Sequence, residues 1–351
     1  MGYTVLLPNC LPGRALRYWQ TIESGEATPG VYLQRVLATA GPAVDAKSLI
    51  DRLLRTKRPQ IFAESAVAGD GRDWNPTELH LLGDISIATH VDVFDDGRHH
   101  APTPHTPPIP GTLVFTCGAL LANGHGIETP DLREIAPDGA LDQSAYDALY
   151  ARRLRPVLDW IQREAESRGR HAVVTVPGLG CGQFAGRFRG RMGLALQTAL
   201  ERLLSDMATQ THRLRAVIFD PYDECSDRDM TFGHTQLRVR PLLRSGNPHP
   251  QLCRPVDYAA SGDDFRDCDL FSLVAWDQVS WPGNDFYAGA RATDDGVKAA
   301  ATSSMYAMTG IEGHYDAKRG MYLPPRGYRN WRECVVRNRL DLEPGEPFVG
   351  P

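Results

Sequence analysis

The chain has 351 residues, with 38 Lys and Arg against 43 Asp and Glu, so its formal net charge is −5. Hydrophobic residues make up 42% and charged residues 23%, the composition of a globule with a real core and of one large decorated domain or two average ones. An acidic balance excludes a dedicated nucleic-acid binder, which needs a clustered basic excess, although Arg187, Arg189 and Arg191 form a local basic patch.

The seven cysteines (10, 117, 181, 225, 253, 268 and 334) are odd in number and contain no CxxC pair, the pattern of reduced thiols in a cytoplasmic protein. The opening MGYTVLLPNCLPGR lacks the basic leader and apolar run of a secretion signal, and Leu6 stands where myristoylation wants Ser or Thr. No stretch reaches the roughly 18–20 apolar residues of a membrane span.

In chain order, residues 1–75 hold helical pieces at 32–37 and 46–54 and read as an N-terminal helical extension packed on the main body. Residues 84–94 (DISIATHVDVF) alternate as a strand and close on the turn signal Asp95-Asp96-Gly97. The Pro- and His-rich stretch 98–111 is expected to be a loop, since proline removes backbone donors and is barred from a central strand. His99, His100 and His105 on it lack the ligand spacing of a zinc site and read as solvated.

A regular pattern follows. Apolar strands are expected at 112–117, 171–176, 214–220 and 270–276, with helices at 143–167 (Pro156 marking a break or kink) and 191–205. Continuous apolar strands alternating with amphipathic helices predict an α/β fold with a mixed, largely parallel sheet flanked by helices. Its main domain is expected over 76–340, with 341–351 as a tail. Ligands in such sheets sit at the carboxyl ends of the strands.

Two loops there carry chemistry. The first, Pro177-Gly178-Leu179-Gly180-Cys181-Gly182-Gln183-Phe184-Ala185-Gly186, joins a strand to a helix and puts four glycines in nine residues. Glycines let backbone N–H groups approach an anion, and a helix N-terminus adds partial positive charge, so phosphate is the natural ligand; a tight turn without ligand is the alternative. No Gly-Lys-Ser/Thr follows, and the Rossmann spacing does not fit.

The second loop runs Asp277, then Ser280-Trp281-Pro282-Gly283-Asn284-Asp285-Phe286-Tyr287, then Arg291-Ala292-Thr293-Asp294-Asp295-Gly296. Aspartates converging here suit cleavage of an N-glycosidic bond: one carboxylate stabilises an oxocarbenium-like ribose, and a second activates water or manages the leaving-group proton. Competing readings are an N-cap for Asp294 or Asp295, a turn for Asp277, and a Mg²⁺ or Ca²⁺ site. Trp276 and Trp281 flank Asp277 and suit either a pocket wall or the core. Cys117 and Cys181 lie near strand ends but lack an ordered Cys/His/Asp pattern, so buried structural thiols are expected.

The strand–PGLGCGQFAG–helix–LRAVIFD sequence resembles the C-terminal half of a macrodomain. The resemblance implies ADP-ribose as ligand, with Gly178, Gly180, Cys181, Gly182, Gln183 and Phe184 around the diphosphate and distal ribose. The usual Asn-Ala-Ala-Asn motif is absent; Asn123, in the first loop 116–126, stands nearest to it. AWDQVSWPGNDFYAGARATDDG in turn resembles a divergent group, the MavL-type hydrolases that remove ADP-ribose from an arginine of ubiquitin. That resemblance implies Asp277, Asp285 and Asp295 as catalytic acids, with Asn284 and Asp294 as ligand contacts. It implies an ADP-ribosylated protein as substrate, with neither nucleic acid nor membrane as partner; a non-catalytic ADP-ribose reader is the alternative. No cofactor is expected. Thr293-Asp294-Asp295 resembles the metal motif of the all-helical ADP-ribosylarginine hydrolases, but the strand-rich remainder is unlike that fold.

Overall fold

The computed structural model describes residues 2–59, 62–246, 248–283, 291, 296–343 and 345–350. Its strands are β1 (Thr4–Leu7), β2 (Ser86–Asp95), β3 (Pro104–Cys117), β4 (His171–Pro177), β5 (Leu214–Asp220), β6 (Arg228–Phe232), β7 (Thr235–Val239), β8 (Cys268–Trp276), β9 (His314–Asp316), β10 (Met321–Leu323) and β11 (Glu346–Val349). Nine of them form one sheet in the order β11-β1-β2-β3-β8-β4-β5-β7-β6, and β9 and β10 pair separately. From β3 to β7 every neighbour is parallel, while the β1–β2, β2–β3 and β6–β7 pairs are antiparallel. The expected mixed, largely parallel sheet is therefore present.

The central strands are apolar throughout because both faces are covered. Along β8, Leu270 and Val274 enter one core while Phe271 and Leu273 enter the other. The first core packs under helices Leu11–Glu23, Ala46–Arg55 and Pro76–Gly83; the second packs under helices Gln143–Ser167 and Met192–Asp206. Side-chain caps start several of these. Asp45 with Ser48 and Asn75 with Glu78 form reciprocal capping boxes, and Asp142 accepts the N–H groups of Ser144 and Ala145. No helix of the described residues is long and apolar enough to cross a membrane, and all seven cysteines are free thiols.

Three expectations need correction or refinement. The stretch 98–111 is not a loop throughout: from Pro104 onward it is the first half of β3, with Ile109 opposite Val93 and Pro110 opposite Asp92. The pairing of β3 with β8 begins only at Gly111, so residues 104–110 have a single neighbour, and an edge tolerates proline. Helix Gln143–Ser167 runs on through Pro156. The terminal segments also enter the sheet: β1 lies between β2 and β11, and β11 pairs with β1 in parallel register, Leu6 opposite Phe348.

Candidate active site

The carboxyl ends of β4, β5 and β8 open into a cleft of about 970 Å³. Its floor is Ala275 and Trp276 of β8. One wall is the loop after β4, with Gly178, Gly180, Cys181, Gly182, Gln183 and Phe184; the loop after β5, Asp220 to Glu224, continues it. The turn between β2 and β3, Gly97 to His100, faces them together with Val297 and Lys298. All six glycine-loop positions singled out from sequence thus line one cavity.

Close backbone packing explains Gly118 and Gly180. A Cβ on Gly118 would lie 2.3 Å from the Gly180 nitrogen, and one on Gly180, where φ is +74°, would lie 2.8 Å from the Ala119 nitrogen. The loops after β3 and β4 are therefore stacked backbone on backbone. Tyr150 ties them together: its hydroxyl accepts from Ala119 N at 3.0 Å and donates to Leu179 O at 2.6 Å. Leu121 N adds a bond to Phe184 O at 2.8 Å. Beneath them the buried Arg153 guanidinium donates to Gly118 O, Asp84 and Asp131, and Asp131 receives Leu120 N.

Gly182, Gln183 and Phe184 all line the cleft. Leu179 N and Cys181 N are used within the loop, whereas the N–H groups of Gly182, Gln183 and Phe184 have no acceptor among the described residues. Three successive N–H groups beside a cleft are a donor set of the kind an anion can use. The α-helix itself begins only at Met192, after a 3₁₀ turn at Gln183–Phe188. Its Gly193 N–H is taken by the Glu224 carboxylate at 2.7 Å, so this N–H is spent on a protein carboxylate. The exposed Arg189 guanidinium lies at the cleft rim and has no carboxylate partner among the described residues.

Several cleft groups escaped the sequence reading. Burial pushes the Glu224 carboxyl up from the usual carboxylate range, and Asp223 beside it adds to the effect against the Gly193 N–H. Tyr222 is an exposed aromatic at φ +63°, held by its N–H to Asp220 Oδ1 at 2.8 Å and by its carbonyl, which accepts from Leu243 N. The rule that ligands sit at strand carboxyl ends was the available signal for these residues. His99 and His100 line the cleft, but His105 does not; its Nε2 meets Leu252 O at 2.8 Å.

Asp277 follows the strand end as expected. It is 7% exposed, and its Oδ1 accepts from Val279 N at 2.8 Å and Ser280 N at 2.7 Å, which makes it the pivot of a turn. That turn is anchored by the N-terminal segment. Buried Lys57 donates from Nζ to Gln278 O at 2.6 Å, Arg58 N donates to Val279 O, and Trp281 N donates to Arg58 O. Trp281 is buried, with its indole on Lys57 O; Trp276 packs edge-on to Phe115 and shows one side to the cleft. Asn123 lies off the cleft, its amide bonded to Val67 O and its carbonyl to His125 N. Asn284, Asp285, Asp294 and Asp295 lie outside the described residues. Burial pushes the Cys117 thiol up to about 12 and raises Cys181 as well, so neither is a thiolate nucleophile at neutral pH. Among the described residues no group of three His, Cys, Asp or Glu could hold a metal ion.

A largely parallel sheet sandwiched by helices, with a glycine-rich loop after a central strand, defines a macrodomain-like protein. The model of the family described as macrodomain effector MavL matches residues 3–328, and the chain belongs to that family. Membership gives it an ADP-ribose-related macrodomain function. No curated protein matches the sequence.

Proposed function

We propose that the cleft binds ADP-ribose joined to a protein arginine and that the acidic segment hydrolyses the bond. The observation that carries the reading is the set of three free N–H groups at Gly182, Gln183 and Phe184, in a cavity large enough for a dinucleotide-sized ligand. They suit a diphosphate. Arg189 at the rim supplies a cation, and the Tyr222 ring offers a face for adenine.

Covalent connectivity supports the chemistry. Trp276 and Val297 both line the cleft; Asp277 follows the first directly, and Asp295 precedes the second by two residues. In the reaction the C1–N bond of the ribosyl guanidine breaks as positive charge grows on the ribose ring. A carboxylate of Asp285 or Asp295 stabilises that charge, and the other takes a proton from water. The water oxygen ends on C1, and the guanidine nitrogen gains the proton. Asp277, with one oxygen bound into its turn, sets the start of the segment.

The test is release of free ADP-ribose from an arginine-ADP-ribosylated protein. Asp285→Ala and Asp295→Ala should each abolish release while calorimetric binding of ADP-ribose persists. Unchanged release in both variants sinks the reading. Tight binding by a wild type that releases nothing makes the protein a reader instead.

A further inference from the structure

Among the described residues, none of the loop after β3, Gly118 to Asn123, lines the cleft, although that loop lies directly against the glycine loop that does. Ala119, Leu120 and Leu121 are buried in the two cores. The backbone between them is spent within the protein. Gly118 N donates to Trp276 O at 3.3 Å, and Gly118 O accepts from Arg153 Nη1 at 3.1 Å. Ala119 N donates to Tyr150 Oη, and Leu120 N to Asp131 Oδ2 at 2.8 Å, while the Thr129 hydroxyl donates to Leu120 O. Leu121 N goes to Phe184 O. Every backbone N–H from Gly118 to Leu121 is thus paired.

The glycine loop rests on this frame at four points. Leu179 O accepts from Tyr150 Oη, and Phe184 O accepts from Leu121 N. A Cβ on Gly180 would meet Ala119 N at 2.8 Å, and one on Gly186, at φ +52°, would meet Ala122 Cβ at 2.7 Å. Glycine loses more conformational freedom on ordering than any other residue, so a loop this rich in it needs an outside group to select one shape. Tyr150 is placed to do so. It is 0% exposed on helix Gln143–Ser167, and its hydroxyl accepts at 3.0 Å from one loop while donating at 2.6 Å to the other. Arg153, on the same helix face, holds Gly118 O while Asp84 and Asp131 balance its charge.

We infer that the loop after β3 is a template for the ligand loop and not a ligand contact, and that Tyr150 is the positioning residue that holds Leu179 to Phe184 in their binding shape. The inference rests on the reading of the cleft as an ADP-ribose site for its binding consequence only; the order of the loop is independent of it.

The experiment compares the full chain with Tyr150→Phe, which keeps the ring and leaves Ala119 N and Leu179 O without their partner. Ile161→Val, buried on the same helix in the same core, is the control for general loosening. In calorimetry Tyr150→Phe should weaken ADP-ribose binding about tenfold, as the binding-competent fraction of loops falls. Ile161→Val should bind as the wild type does. Hydrogen exchange reads the loop directly. The amides of Leu121 and Cys181, whose own bonds do not involve Tyr150, should exchange about tenfold faster in Tyr150→Phe and at the wild-type rate in Ile161→Val. Wild-type affinity in Tyr150→Phe, or an equal loss in Ile161→Val, overturns the inference. Should Tyr150→Phe fail to fold, the wild type decides. A ligand that needs the framed loop stabilises the frame in return, so ADP-ribose should slow exchange at Ala119 several-fold and leave Gly169, in the turn before β4 at the opposite end of the sheet, unchanged. An Ala119 rate that the ligand does not move overturns the template. A wild type that fails to bind ADP-ribose refutes the reading of the cleft, and the exchange of Leu121 and Cys181 in Tyr150→Phe then decides the template by itself.

Discussion

Glu224 occupies the cleft wall half-buried, next to Asp223 and within 2.7 Å of the Gly193 nitrogen. Burial raises its carboxyl, so the proton stays on to higher pH than on a free glutamate. The sign of the consequence follows. A carboxyl whose folded value is raised contributes stability that is complete below its unfolded value and is lost as pH rises through the folded one. An anionic ligand in the same cleft obeys the same direction, since deprotonation puts a second negative charge beside the diphosphate. ADP-ribose affinity should therefore fall by roughly two- to tenfold as pH rises through the Glu224 titration, the span expected for a partly screened charge. Calorimetry at constant ionic strength should show the fall in the wild type. Glu224→Gln, which keeps an acceptor for Gly193 N, should flatten the profile. A pH dependence identical in the variant would remove Glu224 from the ligand's surroundings.

At the scale of elements, the two stacked loops separate folding from binding. Gly180 has φ +74° and no room: an added methyl meets the Ala119 nitrogen at 2.8 Å and its oxygen at 2.9 Å. Gly182 faces open space, with nothing within 4 Å of an added Cβ. Gly180→Ala should cost about 1–3 kcal/mol in urea unfolding, the range for forced overpacking. Gly182→Val should leave the unfolding midpoint in place yet weaken ADP-ribose binding at least tenfold, about 1.4 kcal/mol, by filling the cleft beside the loop. Equal stability losses in both would show that the loop serves the fold alone. This division also marks what the sequence could show. Gly178 to Phe184 were legible because glycine spacing between a strand and a helix reports backbone geometry directly. The start of the next helix was legible too, expected at 191 and found at Met192, but the bond from Gly193 N to the Glu224 carboxylate, thirty-one residues on, was not, because it is a contact between a helix start and a loop distant in sequence. Nor was the Pro104–Gly111 half of β3: proline's local cost is the same on any strand, and only the absence of a second neighbour there makes it tolerable.

At the scale of the whole molecule, residues 1–75 read from sequence as an extension packed on the main body, and they supply a strand next to the sheet edge and much of one core. β1 is the strand between β2 and β11, and β11 has no other strand partner among the described residues. Leu11, Tyr18, Trp19, Leu33, Leu49, Ile50, Leu53, Leu54 and Trp74 all sit in the core on one face of the sheet. Local periodicity shows that such helices are amphipathic but cannot show which surface receives them. Each large apolar side chain returned to water costs about 1.5–3 kcal/mol, against a net stability of about 5–15 kcal/mol for a whole protein. The sum from these residues alone is as large as that margin or larger. The same segment supplies Lys57 and Arg58, which hold the turn at Asp277. A chain begun at residue 76 should therefore show no cooperative urea transition, a flat near-ultraviolet dichroism spectrum and no ADP-ribose binding. A compact 76–351 fragment that still unfolds cooperatively and binds the ligand would instead make the first 75 residues dispensable, and would leave the turn at Asp277 to be held by β8 alone.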